Sequence, residues 1–125
     1  MRPGILIVDD DALLRFFFRA FLKKNAVEAF EAENGMEALS LLEKTAIHLI
    51  ITDFQMPVMN GLELLKRIRK NPGTRFLPVI MITANAEEEV REEAIRLGAN
   101  HFISKPVTAE DFLHHVRKTL EFVEE

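Results

Sequence analysis

The sequence predicts an α/β domain in which a five-stranded parallel sheet is covered by helices on both faces. Continuous apolar runs rich in β-branched residues recur at Ile5-Leu6-Ile7-Val8, Leu49-Ile50-Ile51 and Val79-Ile80-Met81-Ile82. Runs that are apolar at every position mark strands buried on both faces. Stretches with helical periodicity lie between them, and the β-α alternation repeats five times without a linker or low-complexity segment. The 125 residues fit one domain, taken as residues 1–125, with a sizeable core and no room for a second.

Each element has local support. The first helix runs from Asp11, read as its N-cap, to Lys24, with Leu14, Phe17, Phe18, Phe21 and Leu22 on one stripe. Val27 to Ala32 is a weaker strand candidate, followed by a helix over Met36 to Lys44 carrying Ala38, Leu39, Leu41 and Leu42. The third helix follows Asn60-Gly61, with Leu62, Leu65 and Ile68 at helical spacing. The fourth carries Val90, Ala94 and Leu97 and stops at Gly98, a residue suited to a helix C-terminus. His101 to Ile103 is the second weak strand. The last helix, after Thr108, turns Phe112, Leu113, Val116, Leu120 and Val123 inward. Asn60 with Glu63, and Thr108 with Asp111, have capping-box spacing.

Composition narrows the function. Sixteen basic against twenty acidic residues give a net charge of −4, which argues against a nucleic-acid-binding module. Cysteine is absent, so disulfides, thiolate metal sites and cysteine nucleophiles are excluded. No apolar run approaches the ~20 residues needed to span a bilayer, and the stretch Met1-Arg2-Pro3-Gly4-Ile5 lacks the longer apolar run and small-residue cleavage site expected of a signal peptide. The expectation is a cytoplasmic protein with no membrane contact.

Open parallel sheets bind ligands beyond the carboxyl ends of their strands. Here those ends carry Asp9-Asp10 after the first strand, Thr52-Asp53 after the third, Thr83-Ala84 after the fourth and Lys105-Pro106 after the fifth. Three carboxylates, a hydroxyl and an ammonium are thus expected on one edge. Carboxylates a few ångströms apart repel unless a cation sits among them. An all-oxygen donor set favours Mg²⁺, with Mn²⁺ possible, over zinc. A carboxylate beside such a cation can attack phosphorus, and positioning plus charge neutralisation does most of the remaining work.

The stretches Ile5-Leu6-Ile7-Val8-Asp9-Asp10, Asp53-Phe54-Gln55-Met56-Pro57-Val58-Met59-Asn60-Gly61, Thr83-Ala84 and Lys105-Pro106 together resemble the response-regulator receiver family of two-component signalling. The likeness runs over nearly the whole chain. It implies a flavodoxin-like (βα)5 three-layer sandwich with strand order 2-1-3-4-5. It implies that Asp53 is the phosphoacceptor and that Asp9, Asp10, Asp53 and the backbone carbonyl of Gln55 hold Mg²⁺, Asp9 through water. Thr83 and Lys105 would contact the phosphoryl group, Thr83 and Phe102 would act as switch residues, and the bond before Pro106 would be cis. Gln55 and Asn85 stand where the family tunes the lifetime of the acyl phosphate.

The implied partners are a sensor histidine kinase or histidine phosphotransfer protein and an unknown downstream protein, the chain being a monomer or a phosphorylation-dependent dimer. Its only catalysis would be its own phosphorylation and autodephosphorylation. With no output domain read after Glu125, the expectation is that the chain either acts alone or is a fragment of a larger regulator or hybrid kinase. Phe16, Ile95 and Phe122 fall off their helices' inward arcs. The resemblance implies that the first helix docks the phosphodonor and that the fourth helix, fifth strand and fifth helix form the output face, so Leu13, Phe16 and Phe17 are assigned to phosphodonor contact, and Ile95 and Phe102 to the output surface. Two rivals remain: a metal-dependent phosphohydrolase with an aspartate nucleophile, which needs an acid/base aspartate where Gln55 stands, and a receiver-like module that binds partners without phosphorylation, against which Asp10, Asp53, Thr83 and Lys105 speak. The scattered histidines are assigned no metal, and Glu87-Glu88-Glu89 is read as a solvated helix start.

Overall fold

Each continuous apolar run becomes a central strand. The strands are β1 (Gly4–Val8), β2 (Glu28–Ala32), β3 (Leu49–Thr52), β4 (Val79–Thr83) and β5 (His101–Ser104). The helices α1 (Ala12–Lys23), α2 (Gly35–Lys44), α3 (Gly61–Lys70), α4 (Glu88–Arg96) and α5 (Ala109–Glu124) alternate with them. A computed structural model describes residues 2–84 and 87–124, with side chains as far as Leu120. All strand pairs are parallel, in the order β2-β1-β3-β4-β5. This is the flavodoxin-like three-layer sandwich that the family resemblance implied.

Successive strand residues point to opposite faces, and the sheet therefore builds two cores. Leu6, Val8, Ile50, Val79 and Met81 pack against Ala38 of α2, Leu64, Leu65 and Ile68 of α3 and Ala94 of α4. Ile5, Ile7, Leu49, Ile51, Ile80 and Ile82 pack against Phe18 and Leu22 of α1 and Phe112, Val116 and Leu120 of α5. The Phe18 and Phe112 rings stack across the α1–α5 seam at 4.5 Å. Val123, also expected inward, lies outside the described side chains, as does Phe122.

Helix starts are satisfied locally. Asp11 accepts from the backbone N–H groups of Leu13 and Leu14, Asn34 from Glu37, Asn60 from Glu63, and the Thr108 hydroxyl from Asp111. Gly98 follows α4 with φ +105, a backbone conformation that glycine adopts without strain. His48 closes the opposite end of the sheet. Its N–H donates to the Gly4 carbonyl at 2.7 Å, while its Nδ1 accepts from the Gly4 N–H at 3.0 Å.

Two core assignments differ from the sequence reading. On α1 the inward positions are Arg15, Phe18 and Leu22, whereas Phe17 is exposed. A periodicity argument that scores only apolar residues passes over an arginine whose charge is met inside. On α3 the buried residue is Leu64 and Leu62 is only half-buried, because Gly61, Leu64, Leu65 and Ile68 define the face.

His101, on the edge strand β5, lies 5.1 Å from the His115 ring of α5, with His114 adjoining His115. Burial, then the charges of His115 and Lys118, hold its pKa below the usual histidine value of 6.5. Above that value both folded and unfolded chains carry a neutral imidazole. As pH falls the unfolded chain takes the proton first, and stability is lost down through the folded pKa. The denaturation midpoint should therefore drop between pH 7 and about pH 5.5 more in the wild type than in His101→Gln. Identical pH profiles for the two proteins would contradict this.

Candidate functional site

The carboxyl edge of the sheet is built from strand ends and the loops after them. Val8, the last residue of β1, hands the chain to Asp9, whose N–H donates to Ala32 of β2 at 3.1 Å. The Asp53 N–H donates to Val8 at 3.0 Å, so the first residue past β3 is still laced to β1. These bonds bring Asp9, Asp10 and Asp53 together, each offering a carboxylate oxygen within 4.8 Å of the others. Asp9 and Asp53 are buried and Asp10 is exposed. The cluster has one side closed by protein and one open to solvent.

Lys105 reaches the cluster from beyond β5. Its Nζ donates to Asp9 Oδ2 at 3.1 Å and to Asp53 Oδ2 at 3.0 Å, bridging two elements that share no other ion pair among the described residues. The Lys105–Pro106 peptide bond is cis. Burial works against the ammonium, but hydrogen bonds and charge from Asp53 and Asp9 outweigh it and raise the Lys105 pKa above its usual value. The Asp9 carboxyl is likewise held above its usual value. Burial raises its pKa most and the Asp53 charge adds to this, while the Asp11 N–H and Lys105 pull it down.

The remaining carboxylate oxygens are aimed by backbone. Asp9 Oδ1 accepts from the Asp11 N–H at 2.9 Å, and Asp53 Oδ1 from the Phe54 N–H at 2.6 Å. Thr83 ends β4 and is fully buried. With Thr52 opposite Met81, it stands one residue farther along the adjacent strand than Asp53. Asn85 lies outside the described residues. An open cavity of about 480 Å³ runs beside the cluster, lined by Asp10, Phe54, Gln55, Met56, Pro57 and Asn60.

The loop after Asp53 is shaped by two backbone devices. Gly61 opens α3 against the phenylalanine that follows Asp53, donating its N–H to the Phe54 carbonyl at 2.8 Å. A Cβ there would overlap the Asp53 carbonyl oxygen, so only glycine fits this approach. Val58 has φ +73 and is exposed. A β-branched residue in that region is strained.

The family assignment now rests on the chain's own fold and on its relatives. The family described as response regulator receiver domain matches residues 5–117. The chain belongs to the response regulator receiver family. Chemotaxis protein CheY-3 of Vibrio cholerae is 39% identical over 118 residues, covering 94% of this chain and 91% of that protein. Histidine kinase P4 of Formosa agariphila is 37% identical over 120 residues, but these are 96% of this chain and 9% of the kinase. The crystallised chemotaxis protein CheY4 of Vibrio cholerae superimposes with a TM-score of 0.91 at 31% identity, over 96% of this chain and 100% of that one. Receiver domains are signalling modules rather than metabolic enzymes, and no described helix here is long and apolar enough to cross a membrane.

An oxygen-only donor set with two buried members and one open side fits a hard divalent cation such as Mg²⁺ in this receiver. Two features of the site were not read from the sequence. One is the ammonium bridge, because the spacing of residues 9, 53 and 105 says nothing of distance. The other is Arg15, which donates from Nη1 to the Asp9 carbonyl at 2.6 Å. Its signal was present, since Arg15, Phe18 and Leu22 share one helical stripe.

The strain at Val58 yields a prediction. Val58→Asn, a residue more tolerant of positive φ, should stabilise the receiver by about 1 kcal/mol, a rise in Tm of roughly 3–6 °C. Calorimetry showing an unchanged or lower Tm would contradict it.

Proposed function

We propose that the chain is a Mg²⁺-dependent phosphoacceptor of two-component signalling, with residues 1–125 acting as one receiver unit and Asp53 carrying the phosphoryl group. One observation supports this most: the Asp53 carboxylate is grouped with those of Asp9 and Asp10 and accepts from the Lys105 ammonium, and Asp10 of the same cluster lines an open cavity. Asp9, Asp10 and Asp53, with the Gln55 backbone carbonyl, would hold Mg²⁺, and Mn²⁺ would serve in its place. When bound, the cation neutralises charge on the carboxylates and on the incoming phosphoryl oxygens.

In the proposed reaction a carboxylate oxygen of Asp53 attacks the phosphorus of a partner's phosphohistidine. The P–N bond breaks, and the imidazole leaves with the electron pair and takes a proton. Lys105 exchanges its carboxylate contact for a phosphoryl oxygen, and the Thr83 hydroxyl donates to another. Autodephosphorylation by water would be the only other reaction. Movement at Thr83 and Phe102 would then alter the surface formed by α4, β5 and α5, a local charge change biasing two conformations. Phe102 is half-buried against the α4-side core, and Ile95 on α4 is exposed.

The phosphodonor would be a sensor histidine kinase or a histidine phosphotransfer protein. The α1 face supports this. Leu13 and Phe16 are each more than 60% exposed, and Phe17 lines an apolar cavity of about 500 Å³ together with Lys105 and Pro106. Exposed apolar residues on the helix whose Phe17 shares a cavity with Lys105 suit a helical partner that must bring its histidine to the site. A downstream protein would read the other face, the receiver being a monomer or a phosphorylation-dependent dimer in the cytoplasm. The chemotaxis relative is nearly coextensive with the chain, whereas the chain matches 9% of the histidine kinase.

Intact-mass measurement with a small phosphodonor and MgCl₂ tests the reading. The wild type should gain one phosphoryl adduct, lost on chelation, and Asp53→Ala should gain none. An adduct of equal yield on Asp53→Ala, or none on the wild type, would overturn it.

A further inference from the structure

Arg15 is the one buried arginine among the described residues, and every nitrogen of its guanidinium has a partner. Nη1 donates to the Asp9 carbonyl at 2.6 Å, Nε donates to Glu31 Oε1 at 3.1 Å, and Nη2 lies 4.0 Å from Glu33. Glu31, on β2 opposite Ile7, takes Arg19 on its other oxygen at 2.8 Å. Two guanidinium groups therefore meet two carboxylates. With its charge balanced in this way, Arg15 should act on a nearby cation mainly through geometry.

That geometry concerns Asp10. The peptide between Asp9 and Asp10 is planar, so the direction of the Asp9 carbonyl fixes the direction from which Asp10 departs. The Asp9 N–H is bonded to β2 and its carbonyl to Arg15. Asp10 is exposed and has no side-chain hydrogen bond among the described residues, so this doubly held backbone is what aims it. A planar fork can hold a carbonyl and a carboxylate at once, which a lysine ammonium on a flexible stem cannot do in the same geometry.

We propose that Arg15 is a positioning residue of the cation site: by anchoring the Asp9 carbonyl it fixes the turn that presents Asp10, and so sets a preference for Mg²⁺ over Ca²⁺. The claim rests on the acidic cluster being a Mg²⁺ site. Mg²⁺ demands near-octahedral geometry at ~2.1 Å, whereas Ca²⁺ accepts irregular shells at ~2.3–2.6 Å. A loosened turn therefore costs Mg²⁺ more than Ca²⁺. Loss of packing alone would move both affinities together.

The test is calorimetric titration of the full chain with MgCl₂ and with CaCl₂ at matched ionic strength, well below each protein's Tm. Arg15→Lys keeps the charge and loses the fork. It should weaken Mg²⁺ binding about tenfold while Ca²⁺ binding changes less than about twofold. Glu31→Gln removes the group that holds the fork in place and should shift the ratio the same way by a smaller factor. Should Arg15→Ala fail to fold, these two variants still decide the matter. An unchanged Mg²⁺/Ca²⁺ affinity ratio in folded Arg15→Lys would overturn the proposal and leave the phosphoacceptor reading standing. A wild type that binds neither ion would overturn both.

Discussion

Three carboxylates within 4.8 Å of one another are mutually repulsive, and much of the structure around them bears that repulsion. At an effective dielectric near 20, each ionised pair at that distance costs roughly 3 kcal/mol, before any desolvation. No charged group of the central strands offsets this, since β1 is apolar throughout and β3 and β4 are apolar up to their terminal Thr52 and Thr83. Compensation comes from outside the cluster. Lys105 arrives from beyond the edge strand, backbone N–H groups bond to Asp9 and Asp53, and Arg15 bonds to the Asp9 carbonyl. Burial still leaves Asp9 harder to ionise than a surface aspartate. A site in this condition is responsive to an added cation or to the redistribution of charge by a phosphoryl group.

The same constraint explains the placement of polar residues elsewhere. A fully apolar seam between α1 and β2 would pack well, yet it would leave the Asp9 carbonyl buried without a donor. Arg15 meets that carbonyl, and Glu31, Glu33 and Arg19 meet Arg15, so a short polar column runs from the acidic cluster to the surface. On the other side of the sheet, Gly61 lets α3 begin against the backbone of Asp53 and Phe54. Both features shape the turns around the carboxylates rather than touching them. The exposed phenylalanines of α1 belong to the same arrangement, since that helix carries Arg15 on one side and the apolar surface on the other.

Much of this was legible in the sequence, for a physical reason. β1, β3 and β4 lie between other strands and between helix layers, so every position is buried and the runs are continuous. β2 and β5 are the edges, mostly half-buried, and these were the two weak strand signals. Parallel strands must end on one side, so the residues following them were bound to share an edge. Proximity was not legible, because three-dimensional distances between residues 9, 53 and 105 depend on strand order, which was taken from family resemblance. Arg15 was missed because its burial depends on partners sixteen and eighteen residues away on another element. Phe17 was placed inside for the converse reason, since an apolar residue at the margin of a stripe can face either way.

Thermal unfolding of the wild type as MgCl₂ is raised, against NaCl of equal ionic strength, tests the electrostatic account most directly. A ligand that binds only the folded chain stabilises it by about 2.7 kcal/mol at a hundred times its dissociation constant. Tm should climb with Mg²⁺ beyond the NaCl control, and the excess should vanish in Asp10→Asn. Superimposable Mg²⁺ and Na⁺ curves for the wild type would mean that the crowded carboxylates hold no cation, and the account would be wrong at its centre.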